Sequence, residues 1–125
     1  MTEQKDYLSN QLQEFQEILD QKLAIHKKGL QPQSDKDKEM LEHISFAETK
    51  INEALKFHAS EYEQKMELLE QKEKASPTTF TSSKKYAEEF YQRTFKKALG
   101  LSIDLWLDYV EYHKQNAANK VISSN

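Results

Sequence analysis

Apolar residues recur at steps of three and four along most of the chain, which is the spacing of amphipathic helices. The longest uninterrupted stretch, residues 34–74, contains neither glycine nor proline. A helix of this length measures about 60 Å, and its apolar stripe needs other helices or another chain to lie along it. The stripe consists of Met40, Leu41, Ile44, Ala47, Ile51, Ala54, Leu55, Tyr62, Met66 and Leu69.

A shorter amphipathic helix is predicted before it, over residues 2–28. Its stripe consists of Leu8, Leu12, Phe15, Leu19 and Leu23, widened by Ile18 and Ile25. Gly29, Leu30 and Pro32 then mark its end. A left-handed glycine, an apolar residue that folds back and a proline are typical of helix C-termini.

Ser34 and Asp37 mark the start of the long helix, which is predicted over residues 35–74. A serine hydroxyl here accepts a hydrogen bond from a free backbone N–H group, and an acid three residues later suits the positive end of the helix. Because the connection is short, the two helices are expected to form an antiparallel hairpin. Whether the long helix continues past the weaker helix formers at 58–60 is left open.

The last third of the chain predicts two shorter helices, over residues 84–99 and 103–115, with a turn at Gly100 between them. Residues 75–83 contain a proline and a cluster of hydroxyl side chains, which is typical of a linker. Phe80 within this linker is expected to pack back onto the bundle.

The predicted fold is all-α: a long antiparallel helical hairpin with two shorter C-terminal helices packed on it, an elongated three- or four-helix bundle. Two glycines and two prolines in 125 residues leave little material for turns, and a hydrophobic share of 37% allows only a thin core. Residues 1–116 are expected to form a single domain. Residues 117–125 have no periodicity and are expected to fray.

Side chains that perform catalysis or bind metals form no recognisable pattern. The chain has no cysteine, and its four histidines are scattered. It contains no glycine-rich phosphate loop and no nucleophile elbow. We therefore expect no enzymatic activity, no catalytic residue, no metal site and no cofactor. His58 falls on the apolar stripe and is interpreted as a packed side chain, since a metal site needs three or four converging ligands.

The N-terminal residues, the hydropathy and the charge predict where in the cell the chain works and which partners it disfavours. The N-terminus lacks a basic start followed by an apolar core, and no run approaches the roughly 18 apolar residues of a membrane span. The formal net charge is -3, with both signs mixed along the chain, so nucleic acid is disfavoured as a partner. A soluble cytoplasmic protein that does not bind membranes is expected.

One segment resembles a helix-turn-helix motif, TFKKALGLSIDLWLDYVEYH. Gly100 would form the turn, and Ser102 would cap the second helix. The resemblance implies a DNA-binding regulator that uses segment 84–115, although the acids of the second helix would repel phosphate. Contacts to the DNA backbone would come from Lys84, Lys85, Arg93, Lys96 and Lys97.

Association with another protein is the function that the pattern favours. Both long stripes approximate heptads flanked by Glu, Gln and Lys, which is compatible with an intrachain bundle, with intermolecular coiled-coil pairing, or with both. The aromatic side chains of the last third pack in the core or anchor a partner. The chain is expected to act as an adaptor, assembly subunit or small inhibitor, with possible self-association through the long helices. The candidate partner-binding residues are Tyr91, Tyr112, Tyr86 and Trp106.

Overall fold

Three α-helices make up the computed structural model: α1 (Thr2–Lys27), α2 (Asp35–Ala75) and α3 (Pro77–Ser123). The structure describes the backbone of residues 2–75 and 77–123, and side chains within residues 6–75 and 83–117. No strand occurs in this part of the chain. The prediction of an all-α chain built by helix packing is confirmed.

The turn between α1 and α2 follows the predicted signals. Gly29 has a φ of 83°, the left-handed conformation that glycine adopts at low cost, and Leu30 packs against the core. The backbone N–H of Asp37 points to the Ser34 hydroxyl at 3.5 Å, and the Asp37 carboxylate accepts a hydrogen bond from the Gln31 N–H at 2.9 Å. The Asp37 side chain therefore ties the turn to the first turn of α2.

α2 and α3 form an antiparallel pair. At one end Lys84 donates to Glu73 at 3.0 Å, and near the other end His43 and Tyr109 are joined by a hydrogen bond of 3.0 Å. α2 is unbroken over its 41 residues, so the helix continues through 58–60. α3, with 47 residues, matches it in length.

α1 lies parallel to α3 and antiparallel to α2. The Tyr7 hydroxyl donates to the backbone carbonyl of Gln92, and further along α1 the Lys22 ammonium lies 3.7 Å from the Asp104 carboxylate. With 26 residues, α1 is shorter than its neighbours. The α2–α3 pair therefore continues past the level of Tyr7, beyond the first side chains of α1 that the structure describes.

The buried core runs along the meeting line of the three helices. Every buried residue among the described side chains is apolar or, in the case of Tyr62, aromatic. Ile25, expected to widen the stripe of α1, is instead exposed. The core consists of Leu8, Phe15, Leu19 and Leu23 from α1; Met40, Ile44, Ala47, Ile51, Leu55, Ala59, Tyr62, Met66 and Leu69 from α2; and Phe95, Leu99, Ile103, Leu107 and Val110 from α3.

The predicted turn at Gly100 is wrong, because α3 passes through this residue as a continuous helix and the bundle has three helices rather than four. Ser102, expected to cap a fourth helix, instead donates its hydroxyl to the Ala98 carbonyl one turn earlier at 2.8 Å. A helical glycine costs about 1 kcal/mol relative to alanine. Burial of Leu99 and Ile103 on either side of it contributes about 1.5–3 kcal/mol each, which outweighs that cost.

The ends of α3 also differ from the expectation. The helix begins at Pro77 rather than after the expected linker, since proline at the first helical position lacks only an N–H that has no partner there. It extends to Ser123, through most of the tail expected to fray. The side chain of Phe80 and residues 76, 124 and 125 lie outside the described part.

Candidate protein-binding face

Large apolar side chains stand exposed on the face of the α2–α3 pair that α1 leaves uncovered. We call this surface the outer face, and its six apolar residues have exposed fractions between 46% and 61%. Isolated exposed apolar residues are common on proteins, whereas a larger exposed apolar surface is a candidate contact surface. The six residues are Phe46, Phe57 and Leu68 on α2, and Phe90, Leu101 and Tyr112 on α3.

The outer-face residues follow a strict interval. On each helix the three residues stand eleven positions apart. Eleven residues complete about three helical turns, so the side chains recur along one line at intervals of about 16 Å. This line is separate from the stripe that forms the core, whose steps are three and four.

The antiparallel register brings the two lines level with each other. Tyr62 stacks on Phe95 with ring centroids 4.8 Å apart, and Glu73 pairs with Lys84. Counting residues along both helices from these contacts places each residue of the α2 line at the same height as one residue of the α3 line, to within about one helical turn. The outer face thus carries three rungs: Phe46 with Tyr112, Phe57 with Leu101, and Leu68 with Phe90.

An aromatic cluster supports the first rung. The Trp106 ring meets Phe46 edge-on at 5.8 Å, and Tyr109 lies 5.8 Å from Phe46 and 5.6 Å from Trp106. His43 bonds to the Tyr109 hydroxyl and stacks on His113 at 3.7 Å. Contacts among the rings restrict their side-chain rotamers, which would reduce the conformational entropy lost if another chain covered this rung.

Each rung is flanked by residues one helical turn away, since positions i and i+4 are neighbours on a helix surface. None of these flanking residues is buried. They combine charges of both signs with uncharged side chains, among them the exposed Leu105 and Tyr86, so the outer face has an apolar centre line and a rim of mixed character. The flanking residues are Glu42, Lys50, Glu53, Glu61, Gln64 and Lys72 on α2, and Tyr86, Thr94, Lys97, Leu105, Asp108 and Asn116 on α3.

The predicted partner-binding residues lie in different environments. Tyr86 and Tyr112 are exposed, at 68% and 61%. Tyr91 is partly buried, with the Lys65 ammonium 5.3 Å from its ring centre. Trp106 is partly buried against the core and belongs to the aromatic cluster. The aromatic residues of the last third are therefore divided between packing and surface, and Tyr112 stands directly in a rung.

The predicted nucleic-acid residues are exposed, with the exception of Lys84, whose ammonium is paired with acids. Lys84 is held by Glu73 at 3.0 Å and by Glu88 at 3.6 Å. The hydrogen bond to Glu73 is the main cause that raises the pKa of the Lys84 ammonium. The helix-turn-helix geometry is not formed, since its turn is helical. Lys85, Arg93, Lys96 and Lys97 are exposed, and DNA binding through them stays a prediction.

The Tyr62 hydroxyl is buried without a hydrogen bond. Burial raises the pKa of this phenol, and the nearby Gln92 side chain opposes the shift without reaching hydrogen-bond geometry. A buried polar group without a partner costs about 1–3 kcal/mol. We expect Tyr62→Phe to raise the free energy of unfolding by about 1 kcal/mol in urea denaturation.

Tyr7→Phe is the matched control for that substitution. Its hydroxyl donates to the Gln92 carbonyl at 3.3 Å, so removing it should lower the free energy of unfolding by about 1 kcal/mol. Two tyrosines in ring contact, 5.8 Å apart, are thus expected to respond in opposite directions. A destabilised Tyr62→Phe protein would contradict the expectation.

Sequence reasoning missed most of the outer face. Phe46, Phe57 and Leu68 do not fit the three-and-four stripe of α2, and the stripe alone assigns them to no surface. Their common eleven-residue interval is visible in the sequence and is the signal that could have found them. The interval indicates a shared surface only once the register of α2 against α3 is known. The register shows that Phe90, Leu101 and Tyr112 stand level with the three α2 residues.

Two further findings concern the described residues. They contain no group of three histidine, aspartate or glutamate side chains arranged to hold a metal ion. None of their helices combines the length and apolar character that crossing a membrane requires.

Comparison with known proteins finds no family model, no curated protein and no solved structure that matches the chain.

Proposed function

We propose that this protein is a protein–protein interaction module, an adaptor, assembly subunit or small inhibitor, that binds another chain through its outer face. The observation that supports the proposal is the alignment of six exposed apolar side chains in three level rungs. A large apolar side chain that is half exposed gains about 1 kcal/mol when a partner covers the remainder. Six such residues on rigid helices provide a substantial driving force for association.

The shape of the surface favours a helical partner. The rungs extend over about 33 Å along the helices, and the outer face is a ridge-and-groove surface into which another helix packs by its own side chains. The groove between α2 and α3 on this face is open rather than enclosed, and it is lined by residues of both helices such as His58, Lys65 and Tyr91.

The test is capture of partners by the tagged full-length protein from extract of its source cells, with and without nuclease. Wild type is compared with Phe57→Glu, which places a charge in the middle rung. The control is Ile25→Glu, since Ile25 is 69% exposed on α1 and outside the outer face. Because both residues are exposed, both variants are expected to fold.

A protein that is captured by wild type and Ile25→Glu but lost with Phe57→Glu supports the proposed function. Capture that is equal for all three proteins contradicts it. Recovery that collapses with nuclease would favour the DNA-binding alternative, and Lys96 and Lys97 would be the first residues to substitute.

A further inference from the structure

We infer that the partner of the outer face is a second copy of this chain, related by a two-fold axis parallel to the helices. This inference rests on the proposed function and names the occupant of the same surface. It follows from the level arrangement of the rungs and from the charges that flank them.

The rungs are self-complementary under such an axis. A two-fold axis along the bundle keeps every residue at its own level and places α2 of one copy on α3 of the other. Each apolar residue of α2 then meets the residue of α3 that shares its rung. Phe57 packs on Leu101 of the second copy, and the other two rungs are matched in the same way.

The four helices then form one bundle. α2 and α3 are antiparallel within a chain, so α2 of one copy is also antiparallel to α3 of the other. All four neighbouring pairs are antiparallel, which is the arrangement of an up-down four-helix bundle. α1 of each copy covers the opposite side of its own α2–α3 pair and does not obstruct the contact.

The flanking charges agree with this axis. At matched levels Lys50 faces Asp108 of the second copy, and Glu61 faces Lys97 of the second copy. Two-fold symmetry forms each of these pairs twice. The remaining flanking pairs contain no two like charges: Glu42 with Asn116, Glu53 with Leu105, Gln64 with Thr94, and Lys72 with Tyr86.

The other two-fold arrangement fits less well. An axis perpendicular to the helices would place α2 on α2, centred on Phe57. Glu42 of one copy would then face Lys72 of the other, twice, but Glu53 would face Glu61, also twice. Because like charges at an interface cost several times what exposed ion pairs contribute, the parallel axis is favoured.

The size of the outer face is consistent with a reversible dimer. A surface about 33 Å long and two helices wide, at about 9 Å between helix axes, covers about 600 Å² per copy. The total of about 1,200 Å² stands at the lower end of the range for specific protein interfaces. Dissociation in the micromolar range is therefore expected.

Sedimentation of the full-length protein tests the inference. At roughly 100 μM wild type is expected to sediment with twice the chain mass of 14.7 kDa. Phe57→Glu combined with Leu101→Glu puts four carboxylates into the middle rung of the dimer, and we expect the dissociation constant to rise at least 100-fold. Ile25→Glu is the control and is expected to remain dimeric, with circular dichroism showing that all three proteins are helical.

Charge reversal tests the direction of the axis. Glu61→Lys and Lys97→Glu are each expected to raise the dissociation constant about tenfold, and the double variant is expected to restore it, since each copy then carries both reversed partners. In the α2-on-α2 arrangement Glu61→Lys would instead tighten the dimer by facing Glu53. Tightening by that single substitution would overturn the inferred axis.

The outcomes separate this inference from the proposed function. A wild-type protein that is monomeric at 100 μM overturns the second-copy inference. If capture of a different protein is nevertheless lost with Phe57→Glu, the proposed function stands. A dimer that persists in the double variant with Leu101→Glu shows that another surface mediates it and also overturns the inference.

Discussion

Phe95→Ala is expected to lower the free energy of unfolding by about 3–5 kcal/mol, the range for an aromatic residue removed from a core. Phe95 is 4% exposed and stacks on Tyr62 with an interplanar angle of 20°. Tyr62 in turn contacts the Tyr7 ring at 5.8 Å, so these rings join all three helices. Removing the central stack leaves a cavity at the point where α1 meets the α2–α3 pair.

Urea denaturation followed by circular dichroism measures this effect, with an unchanged m-value as evidence that the unfolding reaction is the same. Ile25→Ala is the matched control, because Ile25 is a large apolar residue that is exposed on the helix surface. Its cost is expected to stay within about 0.5 kcal/mol. A loss below about 1 kcal/mol for Phe95→Ala would show that this ring does not carry the packing that the structure assigns to it.

Gly100→Pro is expected to cost about 3 kcal/mol or more. Gly100 lies inside the continuous α3 helix, where proline removes a backbone hydrogen bond and collides with the preceding turn. A left-handed turn at this residue, as the sequence predicts, would also be destabilised by proline, whose φ is fixed at about -65°. Comparison with Gly100→Ala therefore decides whether α3 is one helix in solution, because alanine is favoured at a helical position and strained in a left-handed turn.

Gly100→Ala is the control, and its effect has the opposite sign. A Cβ at this position would lie 3.7 Å from Phe15 Cε1, an ordinary contact, so the gain in helix propensity of up to about 1 kcal/mol is not offset by a clash. Gly29→Ala should instead lose about 1 kcal/mol, because the φ of 83° strains any residue with a Cβ. If urea denaturation showed that Gly100→Ala destabilises the protein as Gly100→Pro does, the continuous helix would be contradicted.

The apolar stripes predicted the helical class and most of the core because burial and periodicity are directly linked. Nine of the core residues stand on α2, and Ala59 is the only one of them outside the predicted stripe. The end of α1 was also predictable, since Gly29 and Ser34 act through local backbone geometry. These features depend on the chain within a few residues of the signal.

The error at Gly100 has a different physical origin. Glycine and serine are local stop and start signals, but here their small preference competes with the burial of Leu99, Ile103 and Val110 along 60 Å of α2. That competition depends on where α2 lies, which local signals do not contain. The outer face was hidden for the same reason, because level pairing of Phe57 with Leu101 is a property of the register and not of either helix alone.

The near absence of a connection between α2 and α3 has a consequence for the order of folding. A single residue, number 76, separates the two helices, whereas α1 and α2 are separated by seven. Contacts between α2 and α3 close short loops at the tip and lengthen from there, so the chain entropy lost at each step is small. α1 must instead dock into the groove between α2 and α3, which exists only after those two helices have paired in register. We expect the α2–α3 hairpin to form first as the template, with α1 docking onto it in the last step of folding.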